Sequence, residues 1–232
     1  MYYEPLNLPC IPKSWNLADD LGQIEYIFSD KTGTLTRNLM EFKLCSIDGQ
    51  VYGGPFLKES ELNFHDDRLT NLSKAKKEDE PIFDFFRALA LCHTVVVGKD
   101  QEHNLIYKSQ SPDETALVEA AKIVKFTLTN RDLKTITIRV CGEDETYTIL
   151  HVLEFDSTRK RQSIILKTKD EKIILLCKGA DTAIYERLSP GQDQLSSKTA
   201  EHLQQFAADG KHYFQLNYRS KNSLCCNEDH SK

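Results

Sequence analysis

The pattern of apolar and polar positions predicts a chain of mixed α and β structure. In its second half, apolar and β-branched residues recur in short runs that are typical of strands. These runs cover residues 135–140, 146–155, 162–168 and 173–177. Earlier, residues 42–47 and 50–52 flank Asp48-Gly49, a dipeptide that favours a two-residue hairpin turn. The chain should therefore contain antiparallel strands.

Helices are predicted beside these strands. Pro81 should open one helix, because proline is favoured in the first helical turn. The apolar side of that helix carries Phe85, Phe86, Leu89 and Cys92. A second helix should begin at Ser111, with Pro112 in the first helical position. Two more are expected over residues 181–188 and 196–208.

Two segments lack such patterns. Residues 58–80 are polar and rich in charge, so we expect a mobile surface insertion there. Residues 211–232 are polar and without clear periodicity, and we interpret them as a disordered tail.

Composition narrows the class of protein. The 232 residues carry a formal net charge of −5, which argues against a nucleic-acid-binding surface. The longest apolar runs are of strand length, so no membrane span is expected. The start of the chain has neither the basic nor the apolar segment of a secretory signal. We therefore expect this chain to be soluble in the cytoplasm.

The strongest chemical signal is the run Asp30-Lys31-Thr32-Gly33-Thr34-Leu35-Thr36. It follows residues 24–29, which are rich in β-formers and predict a buried strand. A carboxylate at the end of a parallel strand lies in the crevice where open α/β sheets bind ligands. Such a carboxylate can accept a phosphoryl group, with Mg²⁺ between the two anions. A threonine two positions later cannot act as a carboxyl acid or base, so the acyl phosphate should persist.

This run resembles the phosphorylation motif of the P-type ATPases. Its approach, residues 21–30, is similar to that of class IV, the phospholipid flippases. Further motifs that resemble the nucleotide domain of that class follow in order, at residues 111–114, 154–157, 159–161 and 177–181. The resemblance covers about residues 15–210.

The resemblance implies an α/β fold in three parts. Residues 1–40 would begin a haloacid-dehalogenase-like phosphorylation domain. Residues 41–210 would form an α+β nucleotide-binding domain, in which helices flank an antiparallel sheet. Residues 211–232 would be a divergent tail.

The resemblance also implies the site residues. Asp30 would be the catalytic nucleophile, and Asp30 with Thr32 would hold Mg²⁺. The nucleotide-binding residues would be Asp30, Lys31, Thr32, Glu114, Phe155, Lys160 and Lys178. Among these, Glu114 would accept a hydrogen bond from the adenine amino group and Phe155 would stack on the base.

Each nucleotide residue also has a plainer interpretation. Glu114 occupies the third helical position, where it could complete a capping box with Ser111. Phe155 could be ordinary core, and Lys178 an ordinary surface lysine. Residues 159–161 could be a solvated basic face.

The function implied is an ATP-driven phospholipid flippase at the cytoplasmic face of a membrane, with phospholipid and an accessory subunit as partners. The family's second set of phosphorylation motifs, its transmembrane helices and an arginine expected after residue 210 do not occur here. We therefore expect a truncated form that is inactive alone. The alternative is an ATP-binding or interaction fragment without turnover.

Overall fold

The computed structural model describes residues 2–9, 11, 22–31, 33–36, 39–54, 64–69, 72, 80–102, 104–208 and 215–221. The chain divides into two compact units, Met1–Leu39 and Met40–Lys232.

The first unit contains a short hairpin, in which β1 (Tyr2–Tyr3) pairs antiparallel with β2 (Leu8–Pro9). Residues 24–29 have no regular secondary structure. Their apolar side chains are exposed, with Ile27 at 85% and Phe28 at 95%. The prediction of a buried strand here is therefore wrong. A buried strand needs hydrogen-bonded neighbours, and none of the strands in the described part of the chain pairs with this segment.

The second unit begins with the predicted hairpin. Strand β3 (Cys45–Ile47) pairs with β4 (Gln50–Tyr52). Asp48 and Gly49 join them with φ angles of 48° and 71°. Two positive φ values are the requirement of a type I′ turn, which matches the twist of the flanking strands. This prediction is confirmed.

Part of the predicted surface insertion is anchored in the core. Within residues 58–80, Phe64, Leu69 and Leu72 are buried. The ring of Phe64 packs edge-on against Phe42, with the centroids 4.9 Å apart. The other residues of the segment, apart from 65–68 and 80, lie outside the described residues.

Two helices and a hairpin follow. Helix α1 (Glu80–Leu91) is confirmed and begins one residue before the predicted start, so that Pro81 is its second residue. Strand β5 (Val96–Lys99) pairs antiparallel with β6 (Leu105–Lys108), a hairpin that the sequence did not indicate. Helix α2 (Pro112–Ile123) begins at the predicted residue.

The main sheet has six antiparallel strands in the spatial order β12-β11-β10-β9-β8-β7. They are β7 (Phe126–Arg131), β8 (Thr135–Val140), β9 (Glu143–Asp156), β10 (Arg161–Lys167), β11 (Ile173–Gly179) and β12 (Gln215–Lys221). The strands from β7 to β11 each lie next to their neighbour in sequence, so short turns connect them. The four predicted strands are confirmed as β8 to β11: β8 has the predicted bounds, and the other three differ at one or both ends. Strand β7 was not predicted. Its six residues alternate between apolar and polar side chains, but they begin only two residues after α2 ends, so no turn signal separates the strand from the helix.

The remaining helices differ from prediction at their ends. Helix α3 (Asp181–Tyr185) is shorter than the predicted 181–188, because residues 186 and 187 form a turn. Helix α4 (Asp193–Ala208) begins three residues before the predicted start. Among the described residues, no helix combines the length and apolar character needed to cross a membrane.

Strand β12 lies where the sequence predicts no regular element. It pairs with β11 over seven positions, from Gly179 opposite Gln215 to Ile173 opposite Lys221. Leu216 is partly buried against the core. The open edge of β11 offers backbone partners to a segment that has little apolar periodicity of its own. The other residues of 211–232 lie outside the described residues.

The core lies between the helices and one face of the main sheet. Ile136 and Ile138 on β8 are fully buried. The rings of Phe86 on α1 and Phe126 on β7 have centroids 6.0 Å apart. Leu117 and Val118 of α2 belong to the same core, so packing on this face holds α2 against the sheet and thereby helps to position the side chains of the site.

Candidate functional site

The site is built around the first turn of α2. Ser111 precedes the helix in an extended conformation, with φ −109° and ψ 118°, and its side chain makes no capping hydrogen bond. Glu114 does not reach back to complete a capping box. Its Oε2 atom instead accepts hydrogen bonds from the backbone N of Thr94 at 3.1 Å and from Thr94 Oγ1 at 2.6 Å. Ser109 Oγ donates to the same oxygen at 3.3 Å. The plainer interpretation of Glu114 as a capping residue is therefore wrong.

The other oxygen of Glu114 pairs with a lysine from the sheet. Nζ of Lys178, near the end of β11, lies 2.9 Å from Glu114 Oε1. The two side chains are only 11% and 10% exposed, so Lys178 is not an ordinary surface lysine. Burial favours a higher pKa for Glu114. The charge of Lys178 and the hydrogen bonds from Thr94 and Lys178 outweigh burial and lower that pKa to about 2.

A glycine allows the lysine strand to approach its neighbour closely. Gly179 pairs with Arg161 on β10. A Cβ atom on Gly179 would lie 2.4 Å from the carbonyl oxygen of Lys160 and 2.6 Å from Cβ of Arg161. The same carbonyl accepts a hydrogen bond from the backbone N of Ala180 at 3.0 Å. Position 179 therefore has no room for a side chain. The close approach of the two strands at this glycine holds Lys178 near the turn that carries Lys160.

That turn also presents Phe155. Oδ1 of Asp156 accepts hydrogen bonds from the backbone N of Thr158 at 2.7 Å and of Arg159 at 2.9 Å. Lys160 then adopts a left-handed conformation, with φ 51°, and its side chain is exposed. Phe155, at the end of β9, is 65% exposed. An exposed aromatic ring on an ordered strand is not core, so the plainer interpretation of Phe155 is wrong.

Two residues near Glu114, His93 and Thr94, escaped sequence reasoning. His93 is 1% exposed and follows α1. Its Nε2 donates to the carbonyl of Ala90 at 2.8 Å, and its Nδ1 accepts from the backbone N of Val95 at 3.0 Å. Burial, reinforced by the charge of Arg131, lowers the pKa of His93 to about 3. This neutral ring therefore holds the short segment that presents Thr94 to Glu114, and no motif in the sequence signals it.

The Asp30 motif belongs to the first unit. Asp30 and Lys31 are exposed. The carbonyl of Lys31 accepts hydrogen bonds from the backbone N of Leu35 at 3.0 Å and of Thr36 at 3.1 Å, which closes a turn. Gly33 adopts φ 79° within that turn. Thr32 lies outside the described residues.

The chemistry of the described residues limits how a metal could be held. Within the part of the chain that the structure describes, no group of three or more His, Cys, Asp or Glu residues is placed to bind a metal ion. An exposed carboxylate such as Asp30 suits Mg²⁺ that also binds phosphate oxygens and water, since Mg²⁺ commonly takes just one or two protein carboxylates.

Comparison with known proteins gives a consistent result. The family model described as P-type ATPase, cytoplasmic domain N, matches residues 82–224. The chain is 43% identical to phospholipid-transporting ATPase C4F10.16c of Schizosaccharomyces pombe, over 90% of this chain and 18% of that protein. It is 41% identical to probable phospholipid-transporting ATPase IM of Homo sapiens, over 94% and 20%. With phospholipid-transporting ATPase DRS2 of Saccharomyces cerevisiae it shares 41% identity, over 90% and 16%. The chain thus spans about a fifth of the length of these relatives.

Proposed function

This chain belongs to the P-type ATPase family, and from that premise we propose that it is the ATP-binding part of a phospholipid flippase. The proposal assigns the adenine-binding side chains to the unit Met40–Lys232 and the phosphoryl acceptor, Asp30, to the unit Met1–Leu39. The substrate class rests on the relatives, whose names describe them as phospholipid-transporting. Lipid movement between the two leaflets, and any accessory subunit, would belong to the longer protein.

The observation that carries the proposal is a buried ion pair beside an exposed aromatic ring. Lys178 and Glu114 are almost inaccessible and lie 2.9 Å apart, at the end of the sheet where Phe155 is 65% exposed. The face of Phe155 would stack on adenine. Glu114, ionised because its pKa is near 2, would accept a hydrogen bond from the adenine amino group. Lys178 and Lys160 would place positive charge near the phosphates.

The proposed reaction transfers a phosphoryl group to Asp30. A carboxylate oxygen of Asp30 attacks the γ-phosphorus, the bond from that phosphorus to the β–γ bridging oxygen breaks, and ADP leaves. Lys31 would stand beside the transferred group. Mg²⁺, held by Asp30, Thr32 and phosphate oxygens, would neutralise charge between the carboxylate and the phosphate. Later hydrolysis of the aspartyl phosphate would drive the change of shape that moves lipid.

A second candidate function is ATP binding without turnover. The conformation of residues 24–29 favours it for this chain alone, because the segment leading to Asp30 is exposed and forms no strand. A nucleophile on such a segment is not fixed in line with a phosphoryl group.

Calorimetric titration with ATP tests the binding proposal. Phe155→Ala should weaken binding by about 1–3 kcal/mol, the order of one base–aromatic stack. Leu150→Ala is a matched control, because Leu150 is a 46% exposed apolar residue on the same strand, and it should bind ATP as the wild type does. Equal affinities of the wild type and Phe155→Ala would remove Phe155 from the site. Absence of ATP binding to the wild type would overturn the proposed function.

A further inference from the structure

The segment between α1 and β5 brings Thr94 against the carboxylate of Glu114. Thr94 donates two hydrogen bonds to the same oxygen, Oε2, from its backbone N at 3.1 Å and from its Oγ1 at 2.6 Å. Ser109, which follows β6, donates a third from its Oγ at 3.3 Å. Short hydrogen bonds to a charged acceptor are the strong ones. The hydroxyl of Thr94 therefore contributes most to holding Oε2 in place.

The two oxygens of Glu114 differ in the acceptor capacity that they have left. A carboxylate can accept about four hydrogen bonds, two at each oxygen. Oε2 already receives three donors. Among the residues that the structure describes, Oε1 receives one, from Nζ of Lys178 at 2.9 Å. The side chain of Glu114 keeps 10% of its exposure, so it is not fully enclosed. The capacity left for a ligand therefore belongs to Oε1.

Thr94 is itself held from both sides. His93 before it is 1% exposed and Val95 after it is 0% exposed. Nδ1 of His93 accepts a hydrogen bond from the backbone N of Val95 at 3.0 Å, and its Nε2 donates to the carbonyl of Ala90 at 2.8 Å. A residue between two buried and bonded neighbours has little freedom to move. The carboxylate that it holds is thus oriented before a ligand arrives, which reduces the cost of ordering the site on binding.

We infer that Thr94 is a positioning residue for base selection: its hydroxyl holds Oε2 of Glu114, so that Oε1 accepts the amino group of bound adenine. This inference rests on the proposed ATP site and adds to it a residue that need not touch the nucleotide. Glu114 is ionised near neutral pH because its pKa is about 2, and an ionised carboxylate only accepts hydrogen bonds. It suits the amino donor of adenine, and a site built for such a donor disfavours an analogue that lacks it.

Calorimetric titrations with ATP and with purine riboside triphosphate, which lacks the amino group, test the inference. The wild type should bind ATP about tenfold more tightly than the analogue. Thr94→Val removes the hydroxyl at nearly constant shape. It should bind ATP about tenfold more weakly than the wild type, and the analogue as the wild type does. Thr94→Ser retains a hydroxyl and should restore the preference for ATP.

A matched control separates this threonine from others in the unit. Oγ1 of Thr129, on β7, donates to the carbonyl of Thr137 at 3.1 Å. Thr129→Val therefore also removes a hydrogen-bonded hydroxyl from the second unit, and it should bind both triphosphates as the wild type does.

A second background shows whether Thr94 acts through Glu114. Glu114→Ala removes both oxygens and should lose the preference for ATP over the analogue. Adding Thr94→Val to Glu114→Ala should then cause no further loss of ATP affinity, because the group that Thr94 positions is absent. A further tenfold loss would show that Thr94 acts independently of Glu114 and would overturn the inference.

Three other outcomes would overturn the inference while leaving ATP binding in place. The wild type could bind both triphosphates equally, Thr94→Val could retain wild-type affinity for ATP, or Thr94→Val could lose affinity for both triphosphates alike, as a purely structural role requires. Thermal unfolding without nucleotide checks that each variant is folded. If Thr94→Val is not folded, Thr94→Ala replaces it with the same expectations. Failure of the wild type to bind ATP would instead overturn the proposed function, and this inference with it.

Discussion

The two units of the chain carry comparably clear sequence motifs, but they differ in whether their apolar segments find strand partners within the described residues. In Met40–Lys232, the residues of each strand from β7 to β11 find partners one short turn away. Ile136 and Ile138 are consequently buried completely. In Met1–Leu39, the apolar segment before Asp30 has no strand partner in the described part of the chain, and Phe28 is 95% exposed. Apolar content alone therefore does not make a strand, since the partners must also be within reach.

The largest effect expected from this difference concerns catalysis. Labelled ATP and Mg²⁺ should give no acid-stable phosphorylation of this chain alone, because Asp30 lies on an exposed segment without a strand to hold it. Loss of positioning and of electrostatic stabilisation costs about 10²–10³ in rate for each missing donor. A labelled band that is present in the wild type and absent from Asp30→Asn would contradict this and would show that the first unit is competent as it stands.

The next effect concerns the stability of the second unit. Lys178→Met should lower the free energy of unfolding by about 2–3 kcal/mol, because Glu114 would keep a poorly solvated charge without its partner. Urea unfolding measures the change. Lys198→Met is the control, since Lys198 and Glu201 form an exposed pair and such pairs contribute about 0–1 kcal/mol. Similar losses in the two variants would show that the site pair is no more than a surface ion pair.

The contribution of the Glu114–Lys178 pair to the free energy of unfolding should depend on pH. The folded-state pKa of Glu114 is about 2, below the usual glutamate value. Its contribution to stability is therefore complete above that usual value and is lost as the pH falls toward 2. The difference in unfolding free energy between the wild type and Glu114→Gln should shrink over this range, from about pH 5 downward. A constant difference would show that the charge of Glu114 does not stabilise the fold.

Sequence reasoning predicted the strands β8 to β11, which the structure confirms, and it proposed Glu114, Phe155, Lys160 and Lys178 as site residues, which remain a prediction. Alternating patterns and short turns are local signals, and these elements depend on local partners. His93 and Thr94 were missed because their roles arise where the segment after α1 meets the first turn of α2, a contact that no local pattern encodes. The strand before Asp30 was predicted wrongly because apolar composition is a local signal, whereas a strand also needs a segment to pair with.

A smaller effect tests the close contact at Gly179. Gly179→Ala should lower the free energy of unfolding by about 1–3 kcal/mol, because the new Cβ atom would lie 2.4 Å from a backbone carbonyl that is itself held by Ala180. The variant should also bind ATP more weakly, since Lys160 and Lys178 would be forced apart. Gly98→Ala is the matched control on strand β5, where the nearest atom would be 3.8 Å away, and it should be nearly neutral. A neutral Gly179→Ala would show that the two strands can separate freely.

The smallest effect tests whether β12 belongs to the second unit. Leu216 is partly buried against the core, on a strand that pairs with β11 along its whole length. Leu216→Ala should lower the free energy of unfolding by about 1 kcal/mol, below the 2–5 kcal/mol typical of a fully buried leucine. Because β12 is an edge strand with partners on one side, the variant should also be cleaved faster after residue 208 in limited proteolysis, while β8 to β11 stay protected. Leu133→Ala provides the control, since Leu133 is 96% exposed and should change neither measurement. If Leu216→Ala matches that control in both, the residues after 208 contribute nothing to the fold, and the second unit ends with helix α4.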